Sequence, residues 1–293
     1  MQYRTLGKTG LRVSVIGLGT WQFGGEWGKN FEQVEVNQIL GTARDLGINL
    51  IDTAECYGDH LSETLIGRAI QHNRKDWILA TKFGHTFEGH LKRGGAWSVK
   101  EILKQLDQSL KALKTDYIDL YQSHSASDDF FNQDALWSAL QGQVKAGKIR
   151  HLGNSISNDL LHQIDESEKW GIEVVQVIYN RLDHKPEEAV FPYAKAKNIG
   201  VLARVPLASG YLTGKYKADT AFPKEDVRAS HKEEFRIQRI RQVEEIRKTE
   251  VPQGVDMAQW ALNWCLKNPQ VSAVIPGCKN IEQVKSNAEA ADQ

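Results

Sequence analysis

Eight short apolar runs, at residues 13–18, 48–54, 77–83, 117–123, 148–155, 174–180, 201–207 and 271–277, each lead into a stretch with helical periodicity. This alternation constrains the chain more than any other feature. Val36, Ile39, Leu40, Ala43 and Leu46 recur on one helical face, and Gly47 stops that helix. Ile102, Leu106, Leu110 and Leu113 make a second stripe, which Ser98 and Glu101 are spaced to open as a capping box. Strand and helix signals repeating without a break in composition predict a (β/α)8 barrel, residues 1–293 forming one domain. A polar β-hairpin turning at Lys8, Thr9 and Gly10 precedes it.

A doubly wound sheet would satisfy the same alternation. It is disfavoured because the glycine-rich segment at 17–22 has Gln22 where a dinucleotide fingerprint needs its third glycine. No GxxxxGK[ST] phosphate loop occurs either. Four finer expectations follow. Residues 85–96 read as a loop, and Leu160, Leu161 and Ile164 as a helix. Pro192 forces a kink or a late start in the helix around it, and 208–228 form a long excursion before helices at 234–250 and 256–268.

Lysine plus arginine (37) equals aspartate plus glutamate (37), so the formal net charge of zero argues against a nucleic-acid or anionic-membrane partner. No apolar run is long enough to span a bilayer and the N-terminus lacks an apolar leader core, so a cytoplasmic location is expected. Cys56, Cys265 and Cys278 are odd in number and widely spaced, which indicates neither disulfides nor a zinc-binding pattern.

Three of the apolar runs close on reactive side chains: Asp52, Lys82 and His124, with Tyr57 five positions after Asp52. In a parallel barrel, strand ends converge on the face where catalysis is built. That combination suits hydride reduction of a carbonyl. A phenol can protonate the developing alkoxide if an ammonium lowers its pKa from about 10 toward neutrality. Lys82 would supply that charge and Asp52 would hold it. A neutral His124 would orient the carbonyl oxygen through its Nε2–H.

The segments carrying these residues, DTAECYG at 52–58, ATK at 80–82 and DLYQSH at 119–124, resemble the catalytic segments of the aldo-keto reductases. GLGTW at 17–21, LTGKY at 212–216 and IPGCKNIEQVKSN at 275–287 resemble that family's cofactor segments, so the likeness spans nearly the whole chain. It implies a (β/α)8 barrel, NAD(P)H-dependent carbonyl reduction, and a tetrad of Asp52, Tyr57, Lys82 and His124. It further implies Gly19, Thr20 and Trp21 at the cofactor, Trp21 also walling the substrate pocket, and Ser155 and Gln176 at the nicotinamide carboxamide. Pro206, Leu207, Ser209, Gly210, Leu212 and Lys215 would line the pyrophosphate. Ile275, Gly277 and Lys279 would follow, with Lys279 facing a 2′-phosphate and Gln283 and Asn287 at the adenine. NADP(H) is therefore favoured over NAD(H).

Two positions depart from the family pattern. Ile156 replaces the asparagine that usually follows the serine, and Arg204 replaces the tyrosine that stacks on the nicotinamide. A guanidinium can stack on a ring or pair with a phosphate, and the sequence leaves both open. The potassium-channel β-subunits also resemble this family, so a nucleotide-sensing regulatory subunit is the alternative; the short stretch before the barrel disfavours it. The loops decide substrate, and neither the carbonyl compound nor the oligomeric state is readable here.

Overall fold

The computed structural model describes residues 1–292. Its central sheet has eight parallel strands: β1 (Leu18–Gly19), β2 (Leu50–Asp52), β3 (Ile78–Phe83), β4 (Ile118–His124), β5 (Ile149–Ile156), β6 (Ile172–Ile178), β7 (Gly200–Arg204) and β8 (Ala273–Val274). Each pairs with its neighbour in chain order. The sheet closes on itself where β8 returns to β1, through parallel bridges Ile16↔Val274 and Gly19↔Gly277. Gly19 donates its N–H to the Pro276 carbonyl at 3.0 Å across this seam. A Cβ at Gly19 would lie 2.6 Å from the Ile275 carbonyl oxygen, so only glycine lets the two strand ends approach. The chain is a (β/α)8 barrel.

Period-two alternation sorts the strand side chains into layers. Leu50, Ala80, Leu120, Val174, Leu202 and Ala273 form one interior cluster. It is plugged from below by Leu6 and Val13 of the antiparallel hairpin Tyr3–Thr5/Arg12–Ser14. Their strand neighbours Ile51, Leu79, Tyr121, Val175, Ala203 and Val274 face outward into the large core beneath the helices. Two residues beyond each interior apolar position stand Asp52, Lys82, Gln122, Gln176, Arg204 and Ile275. The polar layer at the top of the barrel is thus the next step of the same alternation.

Helices cover the outside. Ser98 and Glu101 make the expected reciprocal cap at the start of Val99–Ala112. The helix around Pro192 is split into Pro186–Ala189 and Phe191–Lys197, with the proline in the first turn of the second piece, as its fixed φ and missing N–H require. The two helices after the excursion run Glu233–Thr249 and Met257–Leu266. The stretch at 160–164 departs from expectation: it is a 3-10 helix, Leu161–Glu166, running into one α-turn, Ser167–Trp170, that the left-handed Gly171 ends. The expected loop at 85–96 is a second antiparallel hairpin, His85–Gly89/Lys92–Gly95. It lacks an apolar alternation because it leans on polar contacts instead of a core.

Candidate active site

At the C-terminal ends of the strands, Lys82 Nζ donates to Asp52 Oδ2 at 2.7 Å, to the Thr53 carbonyl at 2.7 Å and to Tyr57 Oη at 3.4 Å. Asp52 is 3% exposed and Lys82 1%, so this is a buried pair whose geometry has to be complete. Gln176 and Gln122 complete it: both amides donate to Asp52 Oδ1, at 2.7 and 3.1 Å, and Gln176 also donates to Gln122 Oε1 at 3.1 Å. Gln122 carries no assigned role in the sequence reading. Its signal was there, two residues beyond Leu120 and two before His124 on β4.

Burial alone would strip the Lys82 proton, but the Asp52 carboxylate holds the ammonium above the ordinary lysine range. Burial also raises the Tyr57 phenol, to about 12; Lys82 pulls it down and Asp52 pushes it back up. The expected depression toward neutrality is therefore not found. Loss of water outweighs one ammonium that already shares its charge with Asp52. The His124 imidazole is brought down to about 4, chiefly by burial with Glu55 opposing, so it is neutral at pH 7 as expected. Its ring meets the Tyr57 ring edge-on, centroids 6.1 Å apart. Trp21 stacks on Tyr57 from another side at 6.0 Å and 20°.

Trp21 is held by Glu26, a buried carboxylate the sequence reading missed. Glu26 accepts the Trp21 indole N–H at 2.7 Å and the Leu91 N–H at 2.7 Å, and pairs with Arg93. Both of the last two partners lie in or beside the second hairpin, which is thereby fixed against the mouth of the site. Residues 24–31 continue across the cleft. Trp27 bridges Asp226, Val227 donates its N–H to the Glu26 carbonyl at 3.0 Å, and Lys279 Nζ donates to the Trp27 carbonyl at 2.5 Å. Asp226 also pairs with Arg228, whose guanidinium lies over Trp27, Tyr216 and Phe222. The two loops thus form a strap over a long groove.

That groove starts at the tetrad and runs past β5–β8 to the helix Ile281–Glu289. Of the tetrad, Asp52, Tyr57, Lys82 and His124 all line it, with Gly19, Thr20 and Trp21 beside them. Ser155, Gln176, Arg204, Pro206 and Leu207 continue the wall, followed by Ser209, Gly210 and Lys215. Ile275, Gly277, Lys279, Gln283 and Asn287 form its far end. Leu212 does not belong there. The 3-10 turn Ala208–Thr213 points it inward, fully buried against Ile240, Val243 and Trp260.

The groove fits a dinucleotide on its own chemistry. Ser155 Oγ, Arg204 Nε and Asn287 Nδ2 are buried with no hydrogen-bond partner among the described residues, and all three residues face the groove. Buried polar atoms of this kind are normally satisfied, so they mark where a ligand's amide and ring atoms would bind. After β7 the backbone is strained: Val205, Ala208 and Ser209 take φ of 54°, 48° and 58°, beside Gly210 at 89°. Such strain collects at functional loops. At the far end Lys279 is brought below its ordinary value, first by burial and then by Arg228, Lys215 and Lys29, with Asp226 opposing. Crowded cations of this sort call for an anion. The two departures from the family pattern also touch: Arg204 Nη2 donates to the Ile156 carbonyl at 3.3 Å.

The Aldo/keto reductase family model matches residues 15–293. The chain belongs to that family. Aldo-keto reductase YhdN of Bacillus subtilis (strain 168) is 33% identical over 99% of this chain and 88% of its own length. The probable voltage-gated potassium channel subunit beta of Oryza sativa subsp. japonica is 31% identical over 100% and 92%. Among solved structures, the holo form of aldo-keto reductase AKR11C1 from Bacillus halodurans superposes with a TM-score of 0.83 at 30% identity, covering 100% of this chain and 91% of that one. As a member of this family the protein is an oxidoreductase of the NAD(P)H-using type acting on small carbonyl compounds. No helix among the described residues is long and apolar enough to cross a membrane.

Proposed function

We propose that this aldo-keto reductase reduces an aldehyde or ketone reversibly with NADP(H), in the cytoplasm, using Asp52, Tyr57, Lys82 and His124. The observation that carries the reading is the buried chain Asp52–Lys82–Tyr57, with the ammonium 3.4 Å from the phenol oxygen and the His124 ring at its edge. A bound reduced nicotinamide supplies hydride. Tyr57 gives its proton to the carbonyl oxygen as charge develops there, and Lys82 stabilises the phenolate left behind. Asp52, gripped by Gln122 and Gln176, fixes Lys82 against that phenol. His124, neutral, orients the carbonyl oxygen. In the oxidative direction the Tyr57 phenolate takes the alcohol proton.

Ser155 and Gln176 would hold the carboxamide, and Arg204 would hold the cofactor where the family pattern has an aromatic ring. Pro206, Leu207, Ser209, Gly210 and Lys215 would take the pyrophosphate, with Gln283 and Asn287 at the adenine. The preference for NADP(H) rests on Lys279 and its cationic neighbours, since a 2′-phosphate is the anion that corner suits. The decisive test is Tyr57→Phe. Carbonyl reduction should fall by about 10²–10⁴-fold, the usual worth of a positioned acid, while NADPH binding, read by its fluorescence, persists. Wild-type turnover in that variant would remove Tyr57 from its role. The likeness to a channel β-subunit favours a second reading, a regulatory subunit sensing its nucleotide, which tight NADPH binding with negligible turnover across a carbonyl panel would select.

A further inference from the structure

Beside His124 lies a cluster whose chemistry carbonyl reduction does not use. Glu55 and Cys56 are consecutive on the turn after β2, and each is 2% exposed. Glu55 Oε1 accepts the His85 N–H at 2.9 Å and stands 3.6 Å from His124 Nδ1. Cys56 Sγ stands 3.7 Å from the same nitrogen. Glu55 Oε2 is buried with no hydrogen-bond partner among the described residues. One ligand atom from each residue lies within 4.8 Å of those of the other two.

The 3.6 Å gap between carboxylate and imidazole exceeds the range of a good N–H···O bond, which ends near about 3.2 Å. It is close to another length. Around a tetrahedral Zn²⁺, with bonds of about 2.0–2.2 Å to nitrogen and oxygen and about 2.3 Å to sulfur, ligand atoms sit about 3.3–3.6 Å apart. We propose that Glu55, Cys56 and His124 form a three-ligand site for Zn²⁺ or a metal of similar softness, with the fourth position open to the cleft.

The donor set selects the metal class. Thiolate and imidazole suit zinc, cobalt or cadmium, whereas magnesium and calcium want oxygen ligands. Charge balances as well: a divalent ion with one carboxylate and one thiolate is neutral, which a buried site tolerates. The metal–sulfur bond forms as the Cys56 thiol proton leaves to water, with no change in oxidation state. Cys56 and His124 both line the cleft, so an ion has a route in. Coordination would take Nδ1 of His124 in the orientation the ring already holds and leave its Nε2–H free.

Co²⁺ is the probe. Added to the intact protein it should bind at one equivalent with a thiolate-to-cobalt charge-transfer band that Zn²⁺ abolishes and Mg²⁺ does not. Cys265 and Cys278 belong to no comparable cluster among the described residues, so the band reports on Cys56. Cys56→Ser should remove it and weaken Zn²⁺ binding by about 100-fold or more, since even losing an outer-shell partner costs roughly 10–100-fold. Glu55→Gln should weaken binding while keeping the band. A wild-type Co²⁺ spectrum without a thiolate band would overturn the site, and that measurement needs no variant to fold. Zn²⁺ affinity unchanged in Cys56→Ser would overturn it equally.

Discussion

On the proposed mechanism the Tyr57 phenol, raised to about 12 by its burial, would separate the two directions of the reaction. Reduction would use the protonated phenol, and protonation is complete well below that value. The reductive kcat should therefore stay flat from about pH 6 to 9. Oxidation would use the phenolate, whose fraction climbs tenfold for each pH unit below the pKa. Its kcat should rise about one log unit per pH unit through the alkaline range, with no plateau before about pH 10. His124, brought down to about 4, adds a limb only in strong acid. Parallel pH profiles in the two directions check this, and a break near neutrality in the oxidative profile would show that Lys82 governs the phenol more strongly than its burial does. Gln122 and Gln176 act one step back, on Asp52.

At the scale of elements, the barrel depends on the seam between β1 and β8. Gly19→Ala places a methyl against the Ile275 carbonyl oxygen and should destabilise by about 1–3 kcal/mol, the usual cost of overpacking. Gly41, inside the helix Gln33–Asp45, has nothing within 4 Å of a new Cβ, and Gly41→Ala there should stabilise by about 0.5–1 kcal/mol. Denaturant melts of the two variants should move in opposite directions. The strap is a separate device. Arg228 both pairs with Asp226 and covers Trp27, so Arg228→Ala should loosen the bridge over the groove without touching the tetrad. Stopped-flow release of NADP⁺ should accelerate by about tenfold, the equivalent of 1.4 kcal/mol. A change in steady-state kcat would follow if product release limits turnover.

For the whole molecule, the groove spans β5 to β8 and the last helix, so a dinucleotide lying in it would touch much of the barrel rim. Binding only the folded state, NADPH at about 100 times its Kd should add about 2.7 kcal/mol of stability and raise the melting temperature. NADH should do so only at higher concentration, and Lys279→Ala should narrow that gap because Lys279 stands at the cation-crowded far end of the groove. Thermal melts against both nucleotides measure it. Equal shifts in the wild type would remove the case for the 2′-phosphate corner.

The sequence by itself determined the barrel and the ends of its strands. Helical and period-two repeats are local, so Asp52, Lys82 and His124 could be placed at strand ends, and the cap at Ser98 read, from a few neighbours. Only the tertiary structure decided which distant residues meet. Glu26 and Arg93 lie 67 positions apart, and Lys279 and the Trp27 carbonyl 252 apart, on loops with no repeat to announce them. The second hairpin was unreadable for that reason: two buried carboxylates, Glu26 and Glu55, hold it, and no apolar face does. Leu212 was misplaced because a 3-10 turn, set by left-handed Ser209 and Gly210, rotates it into the core. The phenol's pKa lay beyond the sequence too, because burial is a property of the packed whole and here it outweighs the one charge the motif supplies.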